Sequence, residues 1–462
     1  MTAINSIPGS FRDPSGFLFL YEGRYFRQIN SSYKENFDQL IQSGLYHRLV
    51  ESGLLISHKE VTEKLEQAVE CYKIIEPQFI PFISYPFEWC FSQLKNAAIL
   101  TLEIQKIALE FGMSLKDASA YNIQYLNGNP IFIDTLSFEI YLEGSPWVAY
   151  RQFCQHFLAP LALMAYGDVR LSQLLRVYLD GLPLDLTSVL LPARARFRWP
   201  ILMHIFLHGR SQRYFSKRPK TFNHLKINKK GLLELIGSLD SAIRALDWKP
   251  QKEEWSDYYQ ESNYSSEAMN YKREVVEQFI DRVRPSTLWD LGANIGIFSR
   301  LASRLGINTV SFDLSPACTE QNYLEVIAQG EKNLLPLILD LTNPSPSLGW
   351  ANEERMSLVE RGPVEMIMVL ALIHHLVIGN NLPFEKIASF LNKIGDTLII
   401  EFVPKTDPQV QKLLCTREDI FPDYTQDLFE DSFKPYFSIE ERILLKSTGR
   451  TLYLMKKVGR SG

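Results

Sequence analysis

The sequence predicts an α/β fold for its C-terminal half, a parallel sheet with helices on both faces, preceded by a separate α+β N-terminal domain. Three observations carry this. Beyond Pro285, short apolar runs alternate with segments of helical spacing, an alternation that demands a parallel sheet covered on both sides. The loop Asp290-Leu291-Gly292-Ala293-Asn294-Ile295-Gly296 follows the first run, and an acid stands at the end of each of the next two, Asp313 and Asp340. The 462 residues also exceed one domain, at roughly 100–200 residues each. The expected division is 1–209, a basic and helical connector at 210–250, and 251–462.

In the N-terminal part, residues 17–29 read as a β-hairpin turning at Glu22-Gly23. Helices are expected over 36–51, 61–72 and 91–111, the last stopped by Gly112. Between Arg194 and Lys230 there are eleven Lys or Arg residues and no Asp or Glu, interleaved with Phe197, Trp199, Ile205, Phe206, Tyr214 and Phe215. Such a segment is either a contact surface for an anionic lipid, phosphate or nucleic acid, or a solvated helix face with a linker. A further amphipathic helix is expected over 229–248, then an acidic, aromatic stretch at 253–259 and a helix over 267–283.

In the C-terminal half, residues 287–291 form the first expected strand and 297–305 the first helix, ended by Gly306. Strands follow at 309–313, 335–339, 365–372 and 397–402. A helix at 316–329 has Ser315 as N-cap and Pro316 at its first position. In such sheets the ligand lies at the carboxyl ends of the strands, where the chain order reverses. The unusual residues are there. Gly292 and Gly296 let the backbone approach a ligand. Asp313, about 20 residues after the loop, stands where an acid holds ribose hydroxyls. The loop reads Asp-x-Gly-x-Asn-x-Gly rather than the dinucleotide Gly-x-Gly-x-x-Gly. An acid ahead of the glycines suits a ligand carrying positive charge rather than a pyrophosphate. Asp290 could alternatively serve only to cap the following helix.

Over about 264–458 this half resembles the class I S-adenosylmethionine-dependent methyltransferases, whose fold is Rossmann-like. The loop from Asp290 to Gly296, with Gly292, Ala293 and Asn294, matches the family's first motif. Asp313-Leu314 matches the ribose-binding acid and its neighbour, and Asp340-Leu341 the segment beside adenine. Ala371-Leu372-Ile373-His374-His375-Leu376 matches the segment lining the transfer pocket. Late strands around 436–445 and 451–457 fit the antiparallel hairpin of that family. The run from Glu401 to Asp407 resembles a bacterial subset that includes nodulation-type methyltransferase-like proteins. The resemblance implies S-adenosyl-L-methionine as cofactor and methyl transfer to an oxygen or nitrogen of a small-molecule, sugar or lipid-like acceptor. His374, His375 and Glu401 are the candidate catalytic groups. One histidine could instead be buried and hydrogen-bonded, and the other solvated. No Asn-Pro-Pro-Tyr clamp and no catalytic Cys pair is present, so a nucleic-acid acceptor is not expected.

Residues 91–161 resemble the core of the protein and aminoglycoside kinase C-lobe. Asp117 precedes Asn122 by five residues, Asn127-Gly128-Asn129 makes a turn, and the apolar run Ile131-Phe132-Ile133 ends in Asp134. The resemblance implies Asp117 as base and Asn122 and Asp134 as metal ligands. Several features depart from it. No Gly-x-Gly-x-x-Gly loop precedes the core. Arg27 is the nearest stand-in for the strand lysine, Lys116 precedes the base, and the second metal motif reads Asp134-Thr135-Leu136. The three residues could equally cap turns and end a strand. The alternatives to a methyltransferase are therefore a bifunctional or phosphotransfer protein and a catalytically dead scaffold.

Hydrophobic residues at 46%, charged residues at 22% and a net charge of -4 exclude a polyanion-binding chain overall. The five cysteines are scattered without metal spacing, so neither zinc nor a disulfide framework is expected. Residues 1–10 lack the pattern of a signal peptide. Residues 366–384 carry no Asp, Glu, Lys or Arg, but His374-His375, Gly379 and Asn380-Asn381 interrupt them, and a buried strand running into a loop fits better than a membrane span. A cytoplasmic protein is expected.

Overall fold

The computed structural model describes residues 5–61, 71–207, 227–250, 266–415 and 418–459. Two compact units result: Met1–Lys249 with Leu348–Arg355, and Pro250–Ser347 with Met356–Gly462.

The second unit is built on seven strands: β10 (Thr287–Leu291), β11 (Asn308–Asp313), β12 (Leu334–Ile338), β13 (Val364–Val369), β14 (Gly395–Phe402), β15 (Phe437–Leu444) and β16 (Thr451–Lys457). Their order is β12-β11-β10-β13-β14-β16-β15. The first five pair in parallel, while β16 lies antiparallel to β14 and to β15. This is the expected class I methyltransferase sheet with its late hairpin. The order reverses at β10, which places the loop after β10 at the switch point. Strands β10, β13 and β14 are buried almost throughout because helices cover both faces, whereas edge strand β15 alternates buried and solvated residues. Val275, Val276, Phe279 and Ile280 of the helix Ser266–Val283 pack on Leu288, Met366, Met368 and Ile399. Ser315 caps the helix Pro316–Gln329 by accepting from the Cys318 amide (3.3 Å), and Gly330 closes it at φ +63°.

The first unit opens with a five-stranded antiparallel sheet, β1-β2-β3-β5-β4, formed by Asn5–Ser6, Gly16–Tyr21 (β2), Arg24–Asn30 (β3), His58–Glu60 (β4) and Cys71–Pro77 (β5). The hairpin turns at Glu22 and Gly23, both at positive φ, as a tight two-residue connection requires. The single helix expected over 36–51 is two, Lys34–Gln42 and Leu45–Glu51, because Gly44 adopts φ +84° between them. Of the helix expected at 61–72, residues 62–70 lie outside the described residues, and Tyr72 is in strand β5. The long helix Phe91–Glu110 follows. Two short ladders come next: β6 (Met113–Leu115) with β9 (Phe138–Ile140), and β7 (Ile123–Leu126) with β8 (Asn129–Phe132). This unit therefore holds a sheet with inserted helices, a long helix and two paired ladders, with the loop from Asp117 to Asn122 between them.

Two departures from the expected boundaries concern this unit. The helix Lys229–Ala245, expected as connector, packs on Phe91–Glu110, and Lys95 Nζ donates to the Leu246 carbonyl at 2.7 Å. Leu348–Arg355 also folds here rather than with the C-terminal half. Glu354 takes a bidentate pair of hydrogen bonds from Arg12 (2.8 and 2.9 Å), and the Arg355 guanidinium lies 4.3 Å from the Tyr121 ring centroid. Most of the basic segment (208–226) and the acidic stretch at 253–259 lie outside the described residues. Of the rest, Arg194 donates to the Tyr166 carbonyl and Arg196 stacks over Phe206. Among the described residues no helix is long and apolar enough to cross a membrane.

Candidate functional site

The loop after β10 is held by its own amides. Gly292 and Ala293 both donate to the Phe312 carbonyl at 2.9 Å, and Asn294 donates to Asp313 Oδ2 at 2.7 Å. Ile295 donates to its neighbour Asn294 Oδ1 at 2.8 Å, and Gly296 to the Ala293 carbonyl at 2.9 Å. Five successive amides are thus spent inside the loop. A phosphate-cradling loop turns such amides toward its ligand. This loop offers the close approach of glycine without an anion nest.

The glycines are required by geometry. Both take φ near +78°, at +79° for Gly292 and +77° for Gly296. A Cβ on Gly296 would lie 2.5 Å from the Asn322 side chain and 2.8 Å from Arg300 Nη1. Arg300 itself braces the loop, donating to the Ile295 carbonyl (2.7 Å), the Asn322 carbonyl (3.2 Å) and Glu331 (3.0 Å).

Of the acids, Asp290 lies buried under the loop, accepting from the Ser299 hydroxyl at 2.6 Å. Burial pushes its pKa up to about 7, aided by nearby Asp313 and opposed by the Ser299 hydrogen bond and Lys272. Asp313 ends β11 and accepts from two amides, Asn294 and Ser315 (2.8 Å), which fix its carboxylate in the strand-end cleft. Burial raises its pKa too, against those two hydrogen bonds. Leu314 beside it is exposed. Asp340, after β12, accepts from the amide (2.8 Å) and hydroxyl (2.6 Å) of Thr342, which shapes the turn containing Leu341.

At the ends of β13 and β14 lies a buried ionic network. Glu401 Oε2 accepts from Lys272 Nζ at 2.6 Å and from the Ala371 amide at 2.8 Å, and its Oε1 faces Arg450 Nη1 at 3.4 Å. Arg450 grips Asp407 with two further bonds, of 2.7 and 3.1 Å. All four charged side chains are at most 5% exposed and sum to zero charge, the condition under which buried ions are tolerated. Desolvation pulls the Lys272 pKa down, and Glu401 pulls it back. Ala371 sits at φ +50°, an unusual position for a residue with a Cβ, and its amide is anchored on Glu401. His374 follows three residues later. It is buried, its Nδ1 has no hydrogen-bond partner among the described residues, and its ring centroid is 4.3 Å from that of half-buried His375. Burial first, then His375, hold its pKa well below the ordinary value, so the imidazole is neutral at physiological pH. Burial lowers the His375 pKa as well.

Sequence reasoning did not find Lys272 or Arg450. Lys272 had a readable signal: a cation at the 272 position of the buried stripe 268, 272, 275, 276, 279 and 280. Arg450 follows the turn residue Gly449 with no periodicity to mark it.

In the first unit, Asp117, Asn122 and Asp134 come together. The Asn122 side chain donates to Ser137 Oγ at 3.2 Å, and it holds the Asp117 pKa down against burial. Asp134 interacts electrostatically with Asp117, whose pKa burial raises. Asp134 Oδ1 takes Arg27 Nη1 at 2.6 Å and the Leu136 amide at 3.0 Å, and its Oδ2 takes the Ser137 hydroxyl.

The chain is 32% identical to the nodulation protein NoeA of Rhizobium meliloti (strain 1021) over 459 residues, 98% of this chain and 96% of that one. No protein-family model matches. Solved structures similar to it include an S-adenosylmethionine-dependent methyltransferase from Clostridium acetobutylicum, at 14% identity, TM-score 0.31, with 44% of this chain and 96% of that chain covered. The magnesium protoporphyrin IX methyltransferase of Synechocystis with bound SAH is also similar, at 16% identity, TM-score 0.30, covering 45% and 94%. A third is the bifunctional kinase-methyltransferase WbdD, at 14% identity and TM-score 0.29, covering 44% and 42%.

Proposed function

The chain belongs to the family of the nodulation protein NoeA, and from that premise we propose that its C-terminal unit is an S-adenosylmethionine-dependent methyltransferase acting on an oxygen or nitrogen of a small-molecule, sugar or lipid-like acceptor. The observation that carries this is the loop 292–296, which has the glycine approach of a nucleoside site but no amide left for a phosphate, with an acid beneath it. When bound, the cofactor supplies a methyl group on a cationic sulfur. Asp313 holds the ribose hydroxyls, and the turn at Asp340-Leu341 flanks the base. Asp290 places negative charge under the cofactor's cationic end. Glu401 is a positioning residue: its oxygens hold Lys272, Arg450 and the Ala371 amide, and so set the segment that carries His374. The neutral His374 would take up the proton that the acceptor gives off on being methylated, the cofactor supplying the methyl group and leaving with the bonding electrons.

The test is incubation of the full chain with methyl-labelled S-adenosylmethionine and fractionated cell extract. Label in a small-molecule, glycan or lipid fraction supports the proposal, whereas label only in nucleic acid sinks it. His374→Gln is expected to lower kcat by about 10²–10⁴-fold with little change in cofactor affinity. Because His374 is already neutral, the wild-type rate at saturating S-adenosylmethionine should be flat through neutral pH. A rate that rises through pH 6–7 in proportion to histidine deprotonation would contradict the role.

The raised pKa of Asp290 gives a second check. The folded chain keeps a proton there that the unfolded chain loses near pH 4, so this group's contribution to stability falls as pH rises toward about 7 and is flat above. A bound cation favours the carboxylate, so cofactor affinity should rise with pH up to about 7, by at most about tenfold per unit, then level off. Asp290→Asn should flatten that profile in calorimetric titration.

A second reading, phosphotransfer by the N-terminal unit, is favoured by the convergence of Asp117, Asn122 and Asp134. ATP turnover abolished in Asp117→Ala would establish it.

A further inference from the structure

The acidic centre of the N-terminal unit carries its own cations. The kinase-like arrangement implies a divalent metal on Asn122 and Asp134, and the residues as placed do not fit one. Asp134 Oδ1 already accepts from Arg27 (2.6 Å) and the Leu136 amide (3.0 Å), and Oδ2 accepts from the Ser137 hydroxyl. The Asn122 amide nitrogen donates to Ser137 Oγ at 3.2 Å, which presents nitrogen on the side of Asp134 where a metal needs oxygen. A second cation, Lys116 Nζ, lies 3.7 Å from Asp13 and donates to Ser15 Oγ at 2.7 Å, and Arg27 also approaches Asp13 at 3.9 Å. Among the described residues no three His, Cys, Asp or Glu side chains converge as metal ligands.

We propose that the Arg27 guanidinium takes the place of a divalent cation on Asp134, so that the N-terminal unit works as a metal-independent module, with the Arg27–Asp134 pair latching strand β3 to the loop after β8. Arginine suits this better than the lysine expected at a phosphate-binding strand. It never deprotonates in a protein and its planar fork fills the space in front of a carboxylate. Its Nε has no hydrogen-bond partner among the described residues, so the side chain is held chiefly through the Asp134 end. Two carboxylates, Asp13 and Asp134, facing two fixed cations, Arg27 and Lys116, leave little net charge to attract a metal ion.

The experiment is titration of the full-length chain with Mn²⁺, read by electron paramagnetic resonance of the free ion. Wild type and Asp134→Asn should leave the same free Mn²⁺ signal. Arg27→Ala should lower that signal by exposing Asp134, and Arg27→Ala/Asp134→Asn should restore it. Arg27→Met, which keeps the apolar stem, serves if the alanine variant does not fold by circular dichroism. Mn²⁺ binding by wild type that is lost in Asp134→Asn would overturn the proposal. A folded Arg27 variant with no gain in Mn²⁺ binding would overturn it equally.

Discussion

Glu401→Ala is expected to be the most destabilising single substitution in the C-terminal unit, at about 3–5 kcal/mol, read as a fall in the urea midpoint of the full chain. Removing the carboxylate takes from buried Lys272 the counter-ion it is hydrogen-bonded to, deprives the Ala371 amide of its acceptor, and leaves the Arg450–Asp407 pair without its link to Lys272. The size follows from the asymmetry of buried pairs: the intact network is close to neutral in free energy, but half of it is an uncompensated charge. Glu401→Gln should cost less, because the amide oxygen can still accept from Ala371 and Lys272. The double variant Glu401→Leu/Lys272→Met should recover much of the loss, since it removes both charges and fills the space. If Glu401→Ala unfolds no more easily than an exposed control such as Glu440→Ala, the network is not what holds the end of β13.

Asp313→Ala should have the largest effect on the cofactor. Its carboxylate accepts from the Asn294 and Ser315 amides as well as being the proposed ribose partner. Losing charge-assisted hydrogen bonds worth about 1.5–3 kcal/mol each lowers affinity by at least about 100-fold. Asp313→Asn keeps an acceptor for one amide and should retain the loop's shape while still losing most of the affinity. Thermal melts with and without S-adenosylhomocysteine separate the two: the alanine variant should lose the ligand-induced shift, with its unliganded midpoint falling only modestly.

Much of this was legible in the sequence where periodicity and punctuation coincide. The hairpin at 17–29 was readable because alternating aromatics flank Glu22-Gly23, and the structure turns there. The parallel strands were readable because burial on both faces demands unbroken apolar runs, and the late hairpin because its runs at 436–445 and 451–457 match the one the methyltransferase family adds. The site was legible as far as strand ends go: Asp290, Asp313, Asp340, Ala371 and Glu401 all stand at or just beyond the carboxyl ends of β10 to β14.

What was hidden depends on distance in the chain. Glu401 reads as a lone acid until Lys272 and Arg450 arrive, 129 and 49 residues away. Arg27 reads as a weak substitute for a lysine until its guanidinium is found on Asp134. The break at Gly44 was missed because apolar spacing runs on across it, although only backbone at positive φ separates the two helices. Leu348–Arg355 could not be assigned to the N-terminal unit from its place in the α/β half, because its Arg12 and Tyr121 partners lie more than two hundred residues earlier.

The central claim, that the loop after β10 is a site for a cationic nucleoside, is tested most directly by calorimetric titration of the full chain with S-adenosylmethionine, with NAD as the pyrophosphate-bearing control. The geometry predicts saturable binding of S-adenosylmethionine that Asp313→Ala removes, and no binding of NAD. Tighter binding of NAD, or S-adenosylmethionine binding untouched by Asp313→Ala, would contradict it.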